Sequence, residues 1–87
     1  MNREEKLKVL RKYNVEKVEG SNQWVMAIYR EIDVDMYGAS KGFTEKELFD
    51  LEDLDGVLKR VEEFLNEAIE DQISAREREL EELRKWN

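Results

Sequence analysis

The residues with the clearest potential for chemistry lie between positions 33 and 47, DVDMYGASKGFTEKE. Asp33, Asp35 and Gly38 stand at the first, third and sixth positions of a calcium loop, where two carboxylates and a sharply turning glycine belong. The fifth position is Tyr37 and the twelfth is Thr44, so two oxygen ligands are wrong, including the bidentate glutamate that closes such a site. Gly38, Lys41 and Gly42 offer a cradle for phosphate, but their spacing is not that of a P-loop and the surrounding acids repel an anion. The stretch is therefore read as a turn that launches a helix.

The remaining composition removes most other chemistry. The chain has no histidine and no cysteine. Thiolate zinc, the commonest transition-metal ligand and all catalysis by imidazole or thiol are thereby excluded. Ser21, Ser40 and Ser74 each sit beside turn or capping signals, and Ser40 and Lys41, adjacent on an extended segment, point apart. Carboxylate pairs are unavoidable among 22 acids and carry no information by themselves. The expectation is a non-enzymatic protein with no metal and no cofactor. No apolar run approaches the roughly 18–20 residues that span a bilayer, and the basic start MNREEKLKVLRKYN lacks the apolar core of a secretory signal. A cytoplasmic protein without membrane contact is expected.

A chain of 87 residues makes a small core, which often needs self-association when disulfides and metals are unavailable. Residues 3–13 read as an amphipathic helix, with Leu7 and Leu10 on one face and Asn2 as its cap. Gly20, Ser21 and Asn22 form a turn between two β-prone runs, which predicts a hairpin. Beyond it Trp24, Met26, Ile28, Arg30, Ile32, Val34 and Met36 alternate on one face that should turn inward. Val25, Ala27, Tyr29, Glu31, Asp33 and Asp35 lie on the other. A helix through Val25, Ile28, Tyr29 and Ile32 is the rival for this segment. Residues 40–43 leave room for a third strand.

Thr44 and Glu47 fit a capping box, and Phe43 and Leu48 a hydrophobic staple, so a helix starts at residue 45. DLDG then offers Asp53 or Asp55 to cap the next helix. Val57, Leu58, Val61, Phe64, Leu65, Ala68, Ile69, Gln72 and Ile73 recur at helical steps. This helix either continues to Trp86 or breaks at Ser74, where Ser74 and Glu77 make a second capping-box match. The predicted fold is α+β: a helix, an antiparallel hairpin of two or three strands, a short helix and a long C-terminal helix. Residues 1–73 form the domain and 74–87 a helical arm that projects or folds back.

Charge placement suggests a partner. The formal net charge is −7, and residues 44–72 hold eleven acids against three basic residues. Glu62, Glu63, Glu67, Glu70 and Asp71 face away from the apolar stripe. Glu63 with Glu67, and Glu67 with Asp71, are like-charged pairs four residues apart, each costing roughly 0.2–0.5 kcal/mol. Along RERELEELRK, by contrast, Arg78–Glu82 and Glu81–Lys85 pair opposite charges. An ordinary solvated surface accounts for the strip without function; a basic protein partner, such as one that itself binds nucleic acid, gives it one. Small acidic inhibitors of phages and mobile elements are similar in length and charge, though no motif is shared. Direct binding of nucleic acid would rest on Lys6, Lys8, Arg11 and Lys12; net charge opposes it, and internal pairing of these residues is the simpler expectation. Ile73, Leu80, Leu83 and Trp86 make a thin seam suited to a partner helix, which predicts a homodimer. The function expected is a regulator or inhibitor; an assembly protein working through the arm and an antitoxin-like neutraliser of a basic toxin are the alternatives.

Overall fold

The computed structural model describes residues 1–86. Six elements follow one another: α1 (Arg3–Lys12), β1 (Val15–Lys17), β2 (Gln23–Ile32), β3 (Asp35–Thr44), α2 (Glu45–Asp50) and α3 (Leu54–Lys85). The strands form one antiparallel sheet in the order β1-β2-β3, and the helices cover one of its faces. The α+β order expected from the sequence is the observed one.

Each boundary has a local cause. Asn2 accepts the Glu5 amide at the start of α1, and acids in the first turn and Arg11 and Lys12 in the last complement the helix dipole. The β1–β2 connection closes through Val18 N–H donating to Gln23 O, with Gly20 at φ 76°. Thr44 and Glu47 form the reciprocal capping box at α2. Asp53 caps α3 by accepting the Gly56 amide, so Asp55 is free for another role.

Segment 24–32 is a strand, and its inward face is the predicted one as far as it goes. Register pairs Val15 with Met26 and Trp24 with Phe43, and these four side chains are buried together with Leu10, Leu48, Leu54, Leu58 and Leu65. The ring of Phe49 meets Trp24 edge to face at 6.1 Å. The buried Trp24 Nε1–H finds no hydrogen-bond partner among the described residues, a cost the core carries for filling that volume.

Two expectations for the segment after Ile32 are corrected. The alternation does not run on to Met36, because Asp33, at φ 57°, reverses the chain and Ile32 pairs with Asp35. Val34 is left in the turn, 94% exposed, and Met36 emerges opposite Glu31 on the uncovered face. The turn is therefore only Asp33 and Val34. Most of the rest of that stretch is a ten-residue strand, not a loop, and it is far longer than the expected third strand. Its glycines suit it: Gly38 lets the Tyr29 ring lie over β3, and a Cβ there would come within 3.0 Å of that ring.

The last helix runs without a break. Its 32 residues span about 48 Å at ~1.5 Å each, within a molecule 59 × 27 × 18 Å. Ser74 sits mid-helix, since neither glycine nor proline interrupts the strong helix formers around it; its capping-box match has no extended residue to work from. Nor does the arm fold back: residues 74–86 are all exposed. Asn87, included in the expected arm, lies outside the described residues.

The row Leu54, Leu58, Leu65 and Ile69 is fully buried on the sheet, and removing part of it tests the fold. Leu58→Ala is expected to lower unfolding free energy by about 2–5 kcal/mol, measured by urea denaturation followed by far-UV circular dichroism. Leu83→Ala, on the exposed arm, should leave the monomer's midpoint nearly unchanged.

Candidate functional site

The site is built on the side of α3 turned away from the sheet. Because the sheet buries Leu58, Leu65 and Ile69, helical geometry sends Glu63, Glu67 and Asp71 to the opposite side. All three are exposed. None makes an ion pair among the described residues, where six salt bridges occur elsewhere.

The five acids expected to act together divide. Glu70 turns toward the sheet, where its Oε1 takes Arg30 Nη1 at 2.6 Å while Arg30 Nη2 donates to Asn66 at 3.2 Å. Glu62 is half-buried and so does not share the open exposure of the other acids. The outward strip is therefore Glu63, Glu67 and Asp71.

One residue assigned to the apolar stripe belongs to this surface instead. Phe64 is 68% exposed, one turn from Arg60, Glu67 and Ala68. Its spacing carries the reason: Leu58, Leu65 and Ile69 define the buried direction, and Phe64 falls about 100° to one side of Leu65. A stripe drawn through every apolar residue is too wide for a one-sided sheet contact. An exposed aromatic beside Glu67 and Arg60 resembles the anchors that dominate protein interfaces.

The basic residues of α1 divide, and the internal pairing expected of Lys6, Lys8, Arg11 and Lys12 holds for two of the four. Arg3 reaches Glu45 at 3.5 Å and lies 4.4 Å over the Phe49 ring. Lys6 Nζ donates to the Phe49 carbonyl, and Lys12 meets Asp55 at 3.3 Å. Lys8 and Arg11 are exposed and make no ion pair among the described residues.

Asp55 fastens α1 to α3. Tyr13 donates its hydroxyl to Asp55 Oδ1, and this bond, reinforced by Lys12, holds the carboxyl below the usual carboxylate range. The same bond to Asp55 pushes the Tyr13 hydroxyl up, with desolvation adding to it, and the separate hydrogen bond that Lys12 donates to Asp55 raises Lys12. A lowered carboxyl stabilises the fold above its unfolded pKa and loses that contribution as pH falls through the folded value; the raised phenol and ammonium lose theirs as pH rises. The stability advantage of the wild type over Tyr13→Phe is thus expected to be flat near neutrality. It should shrink below about pH 4 and above about pH 10 in denaturation series across pH.

Among the described residues no group of three or more acids is placed to hold a metal. Asp35, one of the calcium-like pair, instead lies 3.9 Å from Arg76. The concavities at the surface are open depressions, such as the one bordered by Arg3, Gln23, Thr44 and Phe49. No described helix is long and apolar enough to cross a membrane.

Unpaired like charges on one helix face imply a measurable strain. Glu67 has like-charged neighbours four residues away on both sides, so Glu67→Gln is expected to raise stability by the order of one or two such pairs, roughly 0.2–0.5 kcal/mol each. The gain should diminish in high salt, where screening shortens the reach of the repulsion. Thermal denaturation at two ionic strengths measures both.

Comparison with protein-family models, with curated proteins and with solved structures finds no match to this chain.

Proposed function

We propose that this protein is a small non-enzymatic regulator or inhibitor, acting in the cytoplasm, that captures a basic protein surface on the outward face of α3. The observation that carries this reading is the contrast along one helix. Arg30 neutralises Glu70, whereas Glu63, Glu67 and Asp71 have no such partner among the described residues and lie beside an exposed Phe64. Three carboxylates at helical spacing supply a directional field that steers a cationic partner, and the phenyl ring supplies desolvated contact area once it arrives. A protein that itself binds nucleic acid presents the required positive surface, and the strip would then occupy the place of phosphates. Neutralisation of a basic toxin uses the same chemistry and the same residues.

The exposed Leu80, Leu83 and Trp86 support a second reading, in which the arm assembles the protein and the charge serves only solubility. The two readings make opposite demands on substitution. In affinity capture from the native host, Glu63→Lys with Glu67→Lys and Asp71→Lys is expected to abolish recovery of a basic partner that the wild type retains at low salt and releases at high salt. Phe64→Ala should weaken recovery without abolishing its salt dependence. Capture that survives the triple charge reversal would reject the acidic strip as the binding surface.

A further inference from the structure

We propose that a second copy of this chain docks antiparallel on the projecting end of α3, giving a symmetric dimer whose two acidic strips point away from each other. Among the described residues the last polar tie between α3 and the other elements is Arg76, whose Nε lies 3.9 Å from Asp35 at the β2–β3 turn. Gln72, one turn earlier, donates to the Gly38 carbonyl at 2.8 Å, and Ile73 beside it is half-buried within its own chain. Ile73, expected in the seam, is therefore largely used already. Beyond Arg76 the helix meets no other element through a hydrogen bond or salt bridge among the described residues, yet Leu80, Leu83 and Trp86 are exposed on it. Leu80 and Leu83 continue the face that buries Leu58, Leu65 and Ile69 upstream.

That continuity fixes the direction of a partner helix. The sheet lies against this face as far as Arg76. A parallel copy packed on Leu80 and Leu83 would run back along the same face and collide with it. An antiparallel copy overlaps only over the last three turns. Placing Leu80 against Leu83 of the second copy, and the reverse by symmetry, brings Glu77 opposite Arg84 of that copy on one flank, twice over. On the other flank the Trp86 ring lies along the stem of Glu79 and ends near the β2–β3 turn, where Ile32 and Val34 are exposed. Two leucine layers and a tryptophan make a small interface, so the dimer is weak and concentration-dependent.

The separation of the strips rests on the function proposed above; the dimer itself does not. In this register the Glu67 residues stand about 45 Å apart along the helix axis, at ~1.5 Å per residue, facing opposite ways. Each dimer then holds two partner molecules instead of gripping one twice.

Sedimentation equilibrium over a wide range of concentration tests the association. The wild type is expected to approach twice the monomer mass, and Leu80→Glu with Leu83→Glu to weaken association at least about tenfold. Both positions are exposed, so these variants keep the monomer fold, which circular dichroism verifies. Because the chain has no cysteine, orientation can be read by single thiols. Mixing Glu77→Cys chains with Arg84→Cys chains under mild oxidation should give the mixed disulfide in clear excess over either symmetric one. A monomer at every concentration, or association untouched by the two glutamates, overturns the proposal; symmetric disulfides in equal or greater amount overturn the antiparallel register. Reversal of Glu63, Glu67 and Asp71 must leave the dimer intact, so loss of partner capture and loss of the dimer are separable failures.

Discussion

The contact between the apolar row of α3 and the inner face of the sheet governs the whole molecule. Leu54, Leu58, Leu65 and Ile69 are almost wholly excluded from water, and at about 25 cal/mol per Å² of apolar surface such a row outweighs every surface ion pair in the chain. It is also one-sided. A helix pressed on a three-stranded sheet buries a single stripe, so everything on its far side is committed to solvent. The placement of Glu63, Glu67, Asp71 and Phe64 follows from where the leucines must go.

A mismatch of lengths supplies the second surface. Strands of ten residues extend at most about 33 Å at ~3.3 Å per residue, whereas α3 runs on for 32 residues and is longer than the sheet beneath it. Arg76 and Asp35 mark where the sheet runs out. Past that point, among the described residues, the helix has only its own side chains for support. The opposite-charge spacings Arg78–Glu82 and Glu81–Lys85, and the Arg76–Glu79 pair at 3.3 Å, belong where no core stabilises the helix, since isolated helical turns are marginal in water. Where the sheet does support α3, like charges are tolerated instead.

Much of this was legible from the sequence because it is locally encoded. Asn2, Gly20, Thr44 with Glu47, and Asp53 each act on backbone amides or dihedrals within a few residues. The strip acids were placed outward by the same period that placed the leucines inward. What escaped depends on partners distant in the chain. Nothing near Glu70 announces Arg30, forty residues away in β2, and nothing near Asp55 announces Tyr13. The β2–β3 turn hid because Asp33 and Val34 continue the apolar alternation, with no glycine or proline to mark the reversal. Phe64 is hydrophobic without being buried, and its angular offset from Leu65 is the only sign of this in the sequence. Ser74 misled in the opposite sense: a capping motif describes how a helix begins, and it has no force where the preceding turn is already helical.

The two exposed surfaces of α3 lie on opposite sides of one rod and at different levels along it, and this separates their chemistry. Carboxylates at 63, 67 and 71 repel a second copy of themselves, which disfavours self-association through the strip. Leucines at 80 and 83 are flanked by both signs of charge and repel nothing. Association of like with like is therefore steered to the arm, while the strip stays open to a molecule of opposite sign. The stiffness of a continuous helix then matters more than its composition at Ser74. A break there would let the arm swing and would erase any fixed relation between the two surfaces; an unbroken α3 holds them at a set distance and angle. That rigidity needs no proline-free design elsewhere in the chain, only the absence of a helix breaker between Ile69 and Leu80, and the sequence IEDQISARERE contains none.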